Sequence, residues 1–176
     1  MNHKVFGYER ITGEPGIGES MLIHEYRYRL AGKYTLDSDV VLDSASGTGF
    51  GEAFLKGKYI GVDRFDSGNN IVADLHYWIP DFEYDVFISF ETIEHLVTYQ
   101  QLVDNAKKAK RIIAVSAPIT PTVIKDRYGN PDIRHYHVHD FTFEQLKNIF
   151  QDDTWKIIHE EVQAGRVGIL ILQRND

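Results

Sequence analysis

Four short apolar runs punctuate the chain, and each gives way abruptly to polar or glycine-containing sequence: "DVVLD" (39–43), "KYIGVD" (58–63), "DVFISF" (85–90) and "RIIAVSAP" (111–118). Runs this short, rich in β-branched residues and without strict alternation, read as strands buried on both faces. "NIVADL" (70–75) is a shorter strand between the second and third of them. Helical segments are expected around 20–33, from "GTGFGEAFLK" (47–56), over 91–109 and over 142–151, where Thr142 is a plausible N-cap. Pro118 stops the 111–118 strand, and a long loop (119–140) follows. The terminal "WKIIHEEVQAGRVGILILQR" reads as a hairpin turning at Ala164-Gly165. Strands alternating with helices predict an α/β fold, a doubly wound and mostly parallel sheet, with one antiparallel hairpin at its end.

The chain has 176 residues and shows no repeat or low-complexity linker, which suits one domain over 1–176 with residues 1–35 as a cover. Only seven residues, "RFDSGNN", separate Asp63 from Ile71. A crossover helix between parallel strands needs about ten to twelve. The helix at that point is therefore expected to be lost or reduced to a turn. Tyr77 and Trp78, the N-terminal segment or a second subunit would then cover the sheet face.

Ligands of open α/β sheets gather beyond the carboxyl ends of the strands. Two stretches there carry chemistry. In "DVVLDSASGTGFGE" an acid, Asp43, ends the strand and Gly47 and Gly49 follow in the turn, where glycine lets backbone approach a ligand. A dinucleotide fingerprint would require glycine where Glu52 stands, and no Gly-Lys-Ser/Thr phosphate loop is present. In "DVFISFETIEHL" the strand runs directly into Glu91, Glu94 and His95. As one helix face at i, i+3 and i+4, these read in three ways: a favourably charged helix start, a metal-free proton-handling group, or a divalent cation site. Later, "RHYHVHDF" places His135, His137 and His139 on one face of an extended segment, either as a surface loop or as pocket lining.

The acid–turn–glycine stretch resembles the first motif of class I S-adenosylmethionine (SAM)-dependent methyltransferases, acid-x-Gly-x-Gly-x-Gly, with Ala45 in place of the first glycine. The resemblance covers the chain from about residue 8 to the hairpin. It is closest to small members with F-E-x-I-E-H-L after the fourth strand, which act on sugars, polysaccharides or natural products. It implies a Rossmann-like sheet of order 3-2-1-4-5-7-6 and SAM as cofactor, held by Asp43, Ala45, Ser46, Gly47 and Gly49. Asp63 would take the ribose hydroxyls, with Arg64 beside it; Asp74 and Leu75 would lie by the adenine, and Phe90 in the same site. "YRYRLA" (26–31) is similar to the family's N-terminal helix and implies Arg27 or Tyr28 near the amino-acid end of the cofactor. E-x-x-E-H also resembles the metal motif of two O-methyltransferase groups, one of which methylates the 2′-hydroxyl of small RNAs. That implies a divalent metal on Glu91, Glu94, His95 and His139. The sugar-type relatives have a comparable histidine segment over the active site, which implies His137 or His139 in the acceptor pocket.

Glutamates and histidines suit removal of a proton from a hydroxyl, so O-methylation of a small molecule or sugar is the expected activity, carried by His95, Glu91, Glu94, His137 and His139. The alternatives are metal-dependent RNA 2′-O-methylation, a non-catalytic SAM-binding module and an NAD-dependent oxidoreductase, the last disfavoured by the glycine pattern. Formal net charge is −7, which opposes sequence-independent binding to nucleic acid. "KKAKR" (107–111) is the one basic run, either a solvated helix end or a local patch. Zero cysteines exclude disulfides and thiolate metal sites. No apolar stretch spans a membrane and the first residues lack a secretory core, so a cytoplasmic location is expected, with a homodimer as one arrangement.

Overall fold

The structure, a computed structural model, describes residues 18–121, 123, 125, 129 and 137–175. Seven strands form one sheet: β1 (Val40–Ser44), β2 (Lys58–Asp63), β3 (Asn70–Val72), β4 (Val86–Phe90), β5 (Ile112–Pro118), β6 (Trp155–Gln163) and β7 (Val167–Arg174). Their order is β3-β2-β1-β4-β5-β7-β6, as the resemblance implied. β3 through β5 pair in parallel. β7 runs antiparallel to both β5 and β6, which makes the terminal hairpin.

Side chains leave a strand on alternate faces, so each buried run feeds two cores. Leu42, Phe87, Ile113 and Leu170 pack with Leu102, Val103 and Ala106 of helix α2 (Gln100–Lys107) and with Leu146 and Phe150 of α3 (Phe143–Phe150). Val41, Val86, Ile88, Ile112 and Ile171 meet Tyr28 and Ala31 of α1 (Gly18–Gly32) on the other face. Thr142 caps α3 as expected: its hydroxyl accepts from the Gln145 amide, while the Gln145 side chain accepts from the Thr142 amide. Buried Asp39 accepts from the Leu36 amide (2.7 Å) and pairs with Arg111, which also donates to the Tyr34 carbonyl (2.7 Å). That ion pair fixes the end of α1 to the starts of β1 and β5.

Two expected helices are shorter than the sequence suggests. After Gly49 the chain makes one 3₁₀ turn, Phe50–Phe54, and no α-helix. Gly51 explains how this turn packs so tightly. A Cβ there would stand 2.2 Å from the Tyr28 ring, so the ring lies directly on the backbone. The 91–109 helix is also broken. Glu91 takes a left-handed conformation (φ 52°), a 3₁₀ turn covers Ile93–His95, Leu96 is extended, and α2 starts only at Gln100. Glu91 donates its amide to the Ser116 carbonyl, and the Glu94 carbonyl accepts from the Val138 and His139 amides. The Glu94 carbonyl, which a helix would have bonded to the amide four residues on, is thus taken by a distant segment. Glu91, Glu94 and His95 do not share an α-helical face.

The connection from β2 to β3 contains no helix, in line with its length. Tyr59 of β2 helps cover the vacated face. Its ring lies beside Gly61, where an added Cβ would come within 3.2 Å, and its hydroxyl reaches Asp43. Trp78 packs with Phe82 on the α2 side, whereas Tyr77 is 78% exposed and covers nothing. The expected N-terminal cover falls partly outside the described residues, as does His135.

Candidate active site

At the end of β1 the chain turns through Ala45 (φ 70°), Gly47 (φ 58°) and Gly49 (φ 79°). Ala45 stands where the resembling motif has glycine and adopts the left-handed conformation nonetheless. It is held there because its amide and that of Ser46 both donate to the Val62 carbonyl, at 2.8 and 3.0 Å. Asp63 at the end of β2 clips the same loop. One carboxylate oxygen accepts from the Gly47 amide (2.8 Å), the other from the Phe65 amide (3.0 Å). A carboxylate has about four acceptor positions, so Asp63 retains capacity for two hydroxyl donors.

Asp43 is fully buried behind this loop and does not line the cleft. One oxygen, Oδ2, accepts from the Tyr28 hydroxyl (2.9 Å) and the Tyr59 hydroxyl (2.7 Å), while Oδ1 has no partner. Burial pushes its pKa up to about 6; the tyrosine hydrogen bonds work downward, and the charge of Asp63 adds to the rise. The sign follows from the folded value lying above the unfolded one. The folded state holds the extra proton, so this contribution to stability is complete below about pH 4 and is lost as pH rises through 6. Asp43→Asn is expected to gain stability relative to the native chain over that window, by about 3 kcal/mol at neutral pH. Denaturant unfolding of both proteins from pH 4 to 7.5 measures it; a constant difference across the range refutes the buried-acid account.

The facing wall is built from the residues after β4. Glu91 lies 3.4 Å from the Arg27 guanidinium and accepts from Ser116 Oγ at 3.3 Å. Arg27, only 2% exposed, also donates to the Gln163 side chain (2.7 Å) and stands behind Glu91, outside the lining of the cleft. Of the expected pair Arg27 or Tyr28, only Tyr28 lines the cleft, together with His24 of the same helix, while α1 directs Arg27 to the hairpin. Burial first, then the Arg27 charge, holds the His24 pKa down at about 3, so His24 is neutral at ordinary pH.

Glu94 is fully buried, yet neither carboxylate oxygen has a hydrogen-bond partner. Burial and the charge of Glu91 push its pKa well above the ordinary carboxylate range, against downward pulls from its own backbone amide and then from Arg27. His95 Nε2 stands 3.8 Å from Glu94 Oε1, and the His95 and His137 rings meet edge to face with centroids 4.7 Å apart. One potential ligand atom from each of Glu94, His95 and His137 falls within 4.8 Å of the others. His139 does not join them. Its Nε2 bonds the Leu96 carbonyl (2.9 Å) among the rings of Tyr99 and Phe141. Thus the structure brings together Glu94, His95 and His137, keeps Glu91 on Arg27, and leaves His139 as a strut. Alternation along 135–139 could not separate the histidines, because the position of the segment is set by its amide bonds to the Glu94 carbonyl.

The lining of the cleft includes Ala45, Ser46, Gly47, Asp63, Arg64, Asp74, Leu75 and Phe90, all expected from sequence. Gly49 shapes the turn without lining it. Asp74 accepts from the His76 amide (3.0 Å) and ring Nδ1 (2.7 Å), and the Val97 amide donates to His76 Nε2 (3.1 Å). The amide donation makes Nε2 the acceptor and Nδ1–H the donor. Burial raises the Asp74 pKa, but the bonds from His76 and the Arg64 charge leave it below the ordinary value. Sequence reading missed His24, Thr48, Phe50, Phe65, His76, Thr92 and Leu96, which also line the cleft. Only His76, two residues beyond an expected ligand acid, carried a usable signal.

No protein-family model matches the chain, and no curated protein matches its sequence. Solved structures do match. A protein from Pyrococcus horikoshii aligns over 98% of both chains with a TM-score of 0.68 and 15% identity. A SAM-dependent methyltransferase from Aquifex aeolicus aligns over 92% of this chain and 94% of its own, with a TM-score of 0.63 and 15% identity. Magnesium protoporphyrin IX methyltransferase from Synechocystis, solved with bound S-adenosylhomocysteine, aligns over 96% of this chain and 90% of its own (TM-score 0.59, 15% identity). The chain therefore has the class I SAM-dependent methyltransferase fold. Among the described residues no helix is long and apolar enough to cross a membrane.

Proposed function

We propose that this protein is a SAM-dependent methyltransferase acting on a hydroxyl of a small molecule or sugar. One observation carries the reading: a glycine turn clipped to a strand-end acid faces a carboxylate–imidazole group across a single cleft. The named methyltransferases among the structural neighbours support the same cofactor. Bound SAM supplies a methyl group on a cationic sulfur.

The chain's own residues would divide the work. Asp63 accepts hydroxyl donors with the positions left free by Gly47 and Phe65. Asp74, Leu75 and Phe90 offer a polar edge and apolar surface for a base. Asp63, Asp74 and Glu91 make the cleft acidic, which favours a positively charged sulfonium over its neutral product. His95 is placed to take the proton of an attacking hydroxyl, and His137 stacks against it. RNA as acceptor is disfavoured by the net charge of −7.

Calorimetry with S-adenosylhomocysteine tests the cofactor assignment. Micromolar binding is expected, reduced about 10-fold or more in Asp63→Asn, which loses a charge-assisted pair with the ribose. NAD is expected not to bind. Absence of S-adenosylhomocysteine binding by the native protein ends the reading; binding without turnover on any hydroxyl acceptor leaves a non-catalytic module.

A further inference from the structure

We propose that His76 is a positioning residue that clamps the backbone just past His95 and joins it to Asp74. The Leu96–Val97 peptide follows His95 and has both of its polar groups taken by imidazoles from other segments. Its N–H donates to His76 Nε2 at 3.1 Å, and its carbonyl accepts from His139 Nε2 at 2.9 Å. These partners lie 21 and 43 residues away along the chain. The 3₁₀ turn of Ile93–His95 ends here, with Leu96 extended (φ −86°, ψ 119°). Burial of Leu96 holds one side of the turn, but Val97 is 64% exposed and its side chain holds nothing. Beyond Leu96 the two imidazole bonds therefore set the direction in which the chain leaves His95.

Of the two imidazoles, only His76 lines the cleft. Its Nδ1–H donates to Asp74 Oδ1 at 2.7 Å, and its amide donates to the same oxygen at 3.0 Å. Two donors on one oxygen fix the carboxylate and leave Oδ2 to accept from a ligand. An Asp–His pair in a cleft invites comparison with a proton relay, but the Val97 amide occupies the nitrogen that would take the proton. His76 is thus a neutral bridge, an acceptor toward Val97 and a donor toward Asp74. Resting on the methyltransferase reading, Asp74 serves the base of the cofactor and His95 the acceptor hydroxyl, so one side chain sets both ends of the reacting pair.

Two conservative variants separate the bonds. In His76→Asn the side-chain amide nitrogen falls where Nδ1 stands and keeps the bond to Asp74, while nothing reaches Val97. In His76→Gln the side-chain oxygen falls where Nε2 stands and keeps the bond to Val97, while Asp74 loses its ring donor. The test uses isotope-labelled full-length protein, read by NMR without nucleoside and by calorimetry with S-adenosylhomocysteine. In the native protein the His76 ring is expected to carry its proton on Nδ1 alone. His76→Asn is expected to speed Val97 amide exchange about 10-fold or more and to move the His95 ring signals, with nucleoside affinity within about twofold of native. His76→Gln is expected to keep the Val97 protection and the His95 signals and to weaken the nucleoside about fivefold. Circular dichroism melts establish that each variant is folded, and the position of the ring proton is read on the native chain. A proton on Nε2 of native His76, native Val97 protection in folded His76→Asn, or the same pattern of losses in both variants overturns the clamp. A native protein that does not bind S-adenosylhomocysteine ends the cofactor reading alone, because the ring proton, the Val97 protection and the His95 signals are measured without it.

Discussion

Replacing His95 by alanine is expected to lower methyl transfer by about 10²- to 10⁴-fold while S-adenosylhomocysteine affinity stays within about twofold. The separation follows from where the residue sits. His95 lies on the wall that follows β4, beside His137 and Glu94. The loop with Ala45, Ser46 and Gly47 and its clip Asp63 form the other wall. A hydroxyl acceptor must lose a proton as it attacks, and without the imidazole that proton has no positioned acceptor. The residues proposed to hold the cofactor, Asp63 at the end of β2 and the turn after β1, are untouched by the substitution. Single-turnover kinetics beside calorimetry measure both quantities. Turnover at the native level would remove His95 from the reaction, and a parallel loss of nucleoside binding would place it in the cofactor site instead.

Arg27→Met is expected to destabilise the protein by about 1–3 kcal/mol near neutral pH, less than for a fully buried ion pair because Glu91 lines the open cleft. Its guanidinium faces the carboxylate of Glu91 at 3.4 Å and draws the Glu94 pKa downward. Methionine fills much of the volume but removes the positive charge that faces Glu91 on the cleft wall and buried Glu94 behind it. pH supplies the check. Glu94 already has a raised pKa, so in the folded state it takes up a proton more readily than in the unfolded chain. Lowering the pH therefore restores stability, and the cost of Arg27→Met should shrink as the solution is acidified toward the ordinary carboxylate pKa. A second contribution persists at all pH values, the lost bond to Gln163 that ties α1 to the terminal hairpin. Urea unfolding at several pH values reads both. A penalty that does not change with pH would show that Arg27 acts through packing and its Gln163 bond, without the carboxylates.

The sequence by itself determined the sheet. Of the four runs read as buried on both faces, β1, β4 and β5 are, because hydrophobic burial acts residue by residue and leaves its pattern in the chain; β2 is only half-buried, since no helix follows it to cover that face. It determined the shortened link after Asp63 as well, since chain length is a hard geometric limit. Asp63, Asp74 and the glycine turn were legible for the same reason: they sit at strand ends, and strand ends are where the topology delivers ligands. Tertiary structure alone decided the rest. Helix periodicity suggested a shared face for Glu91, Glu94 and His95, but the Glu91–Ser116 and Val138–Glu94 backbone bonds broke that helix and re-aimed the side chains. Equally, no spacing rule could choose His137 over His139, or send Arg27 to Gln163 and Glu91. Those choices depend on which partner a distant segment presents, and contacts between residues over 40 positions apart leave no periodic trace in the chain.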